Sequence, residues 1–146
     1  MERVKLPNAQ QFQISISSDV SNLGAVAAFI SNIAEINGLD DGTVYHIQMA
    51  VDEAVTNVIE HAYQGRTDGR IDIRCQFSGR NFIVDIDDYG KPFDAGKVPF
   101  PRIKGPLEKR NVGGLGIFFM KKLMDRVEFS SGRGSGNHVR MVKKVR

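Results

Sequence analysis

Glu53, Asn57 and His61 stand at four-residue intervals within MAVDEAVTNVIEHAYQG, residues 49–65. On a helix that spacing sets a carboxylate, a carboxamide and an imidazole in one row. A carboxylate and a carboxamide one turn apart suit work on a metal-bound nucleotide. The amide oxygen is a hard ligand for Mg²⁺, and the carboxylate can polarise an attacking hydroxyl. A solvated, capped flank explains the same pair without any chemistry. His61 falls near the expected helix end, where the dipole favours an imidazolium, so capping is its plainer reading and catalysis is disfavoured.

Two further stretches carry chemistry. Asp88-Tyr89-Gly90 closes a strand-like run. An ionised carboxylate only accepts hydrogen bonds, so Asp88 could take one from an exocyclic amine such as that of adenine. Gly90 would let a base approach the backbone with no Cβ in the way. For the tripeptide alone, an Asx-turn at a strand end is the simpler account. Gly113-Gly114-Leu115-Gly116 precedes a helical pattern. Glycines there free the backbone to aim N–H groups at an anion, with the positive helix end behind them. A flexible hinge is the alternative. The chain has no GxxxxGK[ST] loop, no GxGxxG after a strand and no metal-ligand array of cysteine or histidine.

Several elements must position these residues. Phe12, Ile14 and Ile16 alternate with polar neighbours, the period of a half-buried strand. Ser17-Ser18-Asp19 offers N-cap chemistry to a helix carrying Val20, Leu23, Val26, Ala27, Ile30 and Ile33, which Gly38 can end. Asp40 and Asp41 open a second helix reaching about Tyr63, with Gly65 beyond it. Its core stripe is Ile47, Val51, Ala54, Val58 and Ala62. Glu53 and Asn57 border that stripe without belonging to it, while Asp52 and Thr56 should meet solvent.

Ile71, Ile73, Cys75 and Phe77 then face one way, and Asp72, Arg74 and Gln76 the other. Ser78-Gly79-Arg80-Asn81 turns the chain into a returning strand through Phe82, Val84 and Ile86. Four of the five prolines lie between Pro92 and Pro106, among several lysines and arginines, and read as a long functional loop. A third helix follows through Ile117, Met120, Leu123 and Met124. Strands near Val127–Ser130 and Val139–Val145 flank a GRGSG turn. The order predicts a single α+β domain: a two-layer sandwich whose mixed, mostly antiparallel sheet carries helices on one face.

At 146 residues the chain suits one domain. The formal net charge of +3, with no long basic run or basic–aromatic interleaving, gives no argument for direct nucleic-acid binding. No apolar run approaches the roughly 20 residues that span a bilayer. The start, MERVKLPNAQ, has no apolar signal core, and the one cysteine cannot form an internal disulfide; both lead us to expect a cytoplasmic protein with no membrane partner. Cys75 reads as a small core residue, not a nucleophile.

EAVTNVIEHAY, DDYGKPFD and GGLGIFFMKKLMDRVEF, in that order, resemble the GHKL superfamily, whose ATP-binding domain has the Bergerat fold. Within it the chain looks like the bacterial anti-sigma-factor serine/threonine kinases. The resemblance implies a kinase that uses ATP and Mg²⁺. Asn57 would ligate the metal, and Glu53 would be the general base or orient the incoming hydroxyl. Asp88 would recognise the adenine amine with Gly90 beneath the base. The backbone of Gly113, Gly114, Leu115 and Gly116 would contact phosphates, and the lid would span about 95–112. Many relatives carry a threonine near the last hairpin where this chain has Asn137, which would stand at the adenine pocket. The implied partners are an anti-anti-sigma factor as phosphorylation substrate, a sigma factor, and a second copy in a homodimer. A nucleotide-gated binding module without transfer activity is the rival reading. The catalytic fragment of a sensor histidine kinase is a third, weakened by the absence of a helix-rich phosphoacceptor region before Phe12.

Overall fold

A computed structural model describes residues 10–94, 112–131 and 136–145 of the chain, with the side chains of residues 112–115 left aside. Five strands form one sheet in the order β1-β2-β3-β5-β4. They are β1 (Gln11–Ser17), β2 (Arg70–Ser78), β3 (Asn81–Asp88), β4 (Arg126–Ser131) and β5 (Asn137–Lys144). Every pairing is antiparallel. The sheet is therefore not mixed as expected. β2–β3 and β4–β5 are hairpins, β1 reaches β2 through two successive helices, and β3 reaches β5 through a further helix and then β4, so each pair runs antiparallel.

Three helices join it: α1 (Leu23–Ile36), α2 (Asp41–Asn57) and α3 (Val112–Leu123). The caps fall where the sequence offers them. The Asp19 side chain accepts from the Ser21 amide at the start of a 3₁₀ turn leading into α1, and Asp40 accepts from the Thr43 amide at the start of α2. Gly38, with φ +72°, turns the chain between the two helices. Gly79, at φ +60°, serves the two-residue loop between β2 and β3.

The core lies between the sheet and the helices. Ile30 and Ile33 of α1, the stripe Ile47, Val51 and Ala54 of α2, and Met120 of α3 meet Ile71, Ile73, Cys75, Phe82, Val84, Ile86 and Met141 of the strands. Cys75 is fully buried, and burial pushes its thiol up to about 12, so it is a packing residue. The opposite face of the sheet is polar. There Arg140 grips Asp85 through two hydrogen bonds of 2.8 and 3.1 Å, and Arg74 meets Asp87 at 2.8 Å. His138 bridges Asp85 at 3.1 Å and Asp87 at 2.7 Å. Burial acts against the Asp85 charge, but hydrogen bonds from His138 and Arg140 bring its carboxyl down to about 2. Among the described residues no helix is long and apolar enough to cross a membrane.

Helix α2 does not run on to Tyr63 as a regular α-helix. After Asn57 it widens into a π segment, Val58–Ala62. The Tyr63 amide reaches back to the Val58 carbonyl at 3.0 Å. Such a bulge adds a residue to the turn and often marks a functional stretch.

Candidate active site

The site begins with the phase of α2. Ile47, Val51, Ala54, Val58 and Ala62 are all buried, as their spacing requires. Glu53 is half-buried and Asp52 exposed. Asn57, expected at the border of the packed face, is instead inside it at 5% exposure, and Thr56 is half-buried rather than solvent-facing. Helix α3 is the cause, because it packs along that flank of α2. An ideal Cβ built on Gly116 would lie 2.7 Å from Glu53 Oε2 and 3.5 Å from Asn57 Nδ2. Only a residue without a side chain lets α3 come this close to the two polar groups. Burial, followed by the neighbouring charges of Asp52 and Glu60, pushes the Glu53 carboxyl above its ordinary value, which makes it the better base.

His61 lies in the π segment, and its ring lies against Phe93 with centroids 5.5 Å apart. It touches neither partner of the expected triplet in any hydrogen bond described.

Asp88 comes from the other layer. Phe82, Val84, Ile86 and Asp88 alternate onto the inward face of β3, so the strand ends with a carboxylate aimed at the core side. At 1% exposure it is nearly as buried as its apolar predecessors. Oδ1 accepts from the Gly90 amide at 3.1 Å, the Asn137 amide at 3.3 Å and the Asn137 side chain at 3.0 Å. Oδ2 is buried with no partner among the described residues. Burial raises the carboxyl above its ordinary value, against the opposing pull of those hydrogen bonds.

Between these residues lies a small cavity of about 20 Å³. Asn57, Asp88 and Asn137 supply its polar wall, and Ala54, Val58, Ile86, Phe93, Met120, Phe129 and Val139 its apolar one. In chemistry these walls match a flat ring with one amine on its edge, apolar faces and one acceptor, but the space must widen to admit one. Buried polar atoms are seldom left unpaired, so Asp88 Oδ2, with no partner among the described residues, is open to a donor such as a ligand amine. The Asn57 amide nitrogen is also buried and unpartnered. No hydrogen bond through that nitrogen fixes the orientation of the amide, so it can turn its oxygen to a cation.

The structure corrects two expectations about glycines. Gly113, Gly114 and Gly116 lie within α3 itself, which opens at Val112, and not in a loop before it. The first-turn N–H groups of 112–115 accordingly have no acceptor inside the helix. Gly90 packs on protein: its ideal Cβ would lie 2.6 Å from the Ala62 carbonyl oxygen, and the Lys91 amide donates to that same oxygen at 2.8 Å. The expected lid lies outside the described residues except at its two margins, the run up to Asp94 and Val112 at the head of α3. The GRGS part of the last turn lies outside them as well.

Sequence reasoning does not single out Phe93, Phe129 or Val139 as cavity walls. Val139 could be found by parity, since it shares the inward face of β5 with Met141. Phe93 carries no such signal, being placed by side-chain contacts at the end of an irregular segment.

The frame is an antiparallel sheet covered on one side by helices, with a carboxylate at the end of its central strand and, on the helix layer, Glu and Asn one turn apart. The chain belongs to the histidine kinase-like ATPase domain family, whose model matches residues 16–143. Among curated relatives it is similar to the serine-protein kinase RsbW of Oceanobacillus iheyensis, at 27% identity over 88% of this chain and 84% of that protein. It is also similar to the anti-sigma F factor of Clostridium botulinum, at 34% identity over 82% of this chain and 81% of that protein. Its fold matches the solved RsbU and RsbW domains of a Mycobacterium tuberculosis protein, with TM-score 0.68, 17% identity and 92% of this chain covered; the match spans 32% of that longer chain.

Proposed function

We propose that the chain is a serine/threonine protein kinase that acts as an anti-sigma factor, phosphorylating an anti-anti-sigma protein and alternately holding a sigma factor. The family and the names of its relatives support the class of activity. One observation carries the nucleotide: the buried, unpaired Oδ2 of Asp88 facing an apolar-walled cavity.

Bound Mg-ATP would supply the transferable phosphoryl group, and phosphoryl transfer asks the protein mainly for positioning and charge neutralisation. Asp88 accepts from the exocyclic amine of the base. Asn57 turns its amide oxygen to the metal. The first turn of α3, through the N–H groups of Val112, Gly113, Gly114 and Leu115, faces phosphate charge, and the helix dipole adds to it. Gly116 leaves the room that Glu53 needs. Glu53, half-buried and raised in basicity, takes or orients the proton of the incoming serine or threonine hydroxyl. In this reading the whole chain is one ATP-binding domain, segment 95–112 is the lid, and the protein works as a homodimer in the cytoplasm.

The test is Glu53→Gln with Mg-ATP and the cognate antagonist. Transfer should fall by about 100-fold or more, the lower end of what general-base assistance contributes, while ATP affinity stays within a few-fold. Wild-type transfer by the variant removes Glu53 from the chemistry. Failure of the wild-type chain to take up ATP or ADP removes the kinase altogether.

A further inference from the structure

Asn137 does more than line the cavity. Its side-chain nitrogen donates to Asp88 Oδ1 at 3.0 Å and to the Lys91 carbonyl at 3.0 Å. Its side-chain oxygen accepts from the Phe93 amide at 2.9 Å. Two acceptors on one side and one donor on the other fix the orientation of the amide, because a flipped carboxamide would set oxygen against oxygen. Three of the four hydrogen-bonding positions of one side chain are thus used, on three different partners. One is the acid at the end of β3, and the other two are backbone groups of the segment that leaves it.

That segment is anchored at nearby points. The Lys91 amide donates to the Ala62 carbonyl at 2.8 Å, and the Phe93 ring lies on His61. Asn137 ties it to the acid. Gly136 makes the approach possible: at φ +123° it lies so near β3 that an ideal Cβ would sit 2.2 Å from the Asp88 carbonyl oxygen. The consequence falls on Asp88. Its Oδ1 is held by three donors and its Oδ2 by none, so the carboxylate cannot rotate without breaking bonds to Asn137 and Gly90.

We propose that Asn137 is a positioning residue for base selectivity: its carboxamide locks Asp88 with one oxygen facing the cavity and fastens the root of the following segment, Lys91–Phe93, to the same acid. It acts through Asp88 and need not touch the nucleotide. This rests on the reading of the cavity as an adenine site. A locked acceptor discriminates against a base that presents a carbonyl at the amine position, since two acceptors then face each other in a buried place. A carboxylate free to turn could relieve that clash.

The experiment compares wild type, Asn137→Ala and Asn137→Asp by calorimetric titration with Mg-ADP and Mg-IDP, the inosine analogue carrying a carbonyl where adenine has its amine. Circular dichroism melts verify folding, and hydrogen exchange follows the Phe93 amide. Loss of a hydrogen bond to a charged group should weaken ADP binding by about ten-fold or more in Asn137→Ala. Asn137→Asp keeps the volume and the acceptor for Phe93 but sets a second carboxylate against Asp88. It should therefore bind ADP more weakly than the alanine variant, while its Phe93 amide stays protected. The preference for ADP over IDP should shrink in both. A space-filling role predicts the reverse order, with the isosteric aspartate milder than alanine. That order, or an unchanged ADP-to-IDP preference in folded variants, overturns the proposal. Absence of ADP binding by the wild type overturns the adenine site itself.

Discussion

Gly90→Ala separates two accounts of the DYG motif. If the glycine only makes room for a base, a methyl group there should lower nucleotide affinity and leave the fold alone. The structure points to the fold. The ideal Cβ would stand 2.6 Å from the Ala62 carbonyl oxygen, 2.8 Å from its carbon and 2.9 Å from Tyr63 Cδ1. Carbon atoms pack at about 3.5–4.0 Å, so the contact with the Ala62 carbon is short by roughly 0.7 Å or more. The Tyr63 ring could swing aside. The Ala62 carbonyl cannot do so freely, because it belongs to the π segment and accepts from Lys91 at 2.8 Å. Relief must come from parting the end of β3 from the end of that segment. Overpacking of this kind costs about 1–3 kcal/mol. For a chain of this size that is a fall in Tm of roughly 2–12 °C. Thermal melts by circular dichroism, without nucleotide, measure it directly. An unshifted melt together with lost ADP binding would refute the packing argument and return Gly90 to the ligand.

Gly116→Ala should behave in the opposite way. Its Cβ would meet the flexible end of Glu53, which can move, and alanine is the better helix former by about 1 kcal/mol. Melting should hold or rise, while transfer drops by about 100-fold because the displaced carboxylate no longer reaches the hydroxyl; full transfer by the variant contradicts the placement of Glu53. The outer-face network sets a pH dependence. Asp85 is held at about 2, below its unfolded 3.8, so its contribution is present above 3.8 and lost as pH falls through about 2. His138 is held above its ordinary 6.5, by Asp85 first, so its contribution is complete below 6.5 and fades as pH rises through the raised value. Urea unfolding should find this network strongest between about pH 4 and 6.5, and Asp85→Asn should lower stability within that window and flatten the profile on either side of it; an identical profile in the variant would mean that the bridge is idle.

Much of the architecture was legible because it rests on period. The alternation in Phe12–Ile16 and Ile71–Phe77, the helical stripe of α2, and the caps Asp19 and Asp40 each have one physical solution. The sequence placed Glu53 on the flank of α2 and Asp88 at a strand end, and the structure sets them there. Asn57 was harder. Its burial comes from α3, an element distant in sequence, and no pattern in α2 announces it. The π turn that holds His61 was not foreseen, because it follows the same residue types as an α turn and reveals itself only in hydrogen bonds such as that from Tyr63 to Val58. Gly90 shows the limit most sharply. The need for a bare Cα there was readable, but whether ligand or backbone fills the space depends on the approach of Ala62, which is tertiary.

Cys75 lies in the middle of β2 with no exposed surface and a thiol far from ionising. It is the only sulfhydryl in the chain. A thiol reagent added to the native protein therefore finds nothing to react with until the sandwich opens. The rate of labelling becomes a clock for that opening, read without introducing any probe. Slower labelling under saturating nucleotide would measure how much the occupied cleft tightens the layers around it.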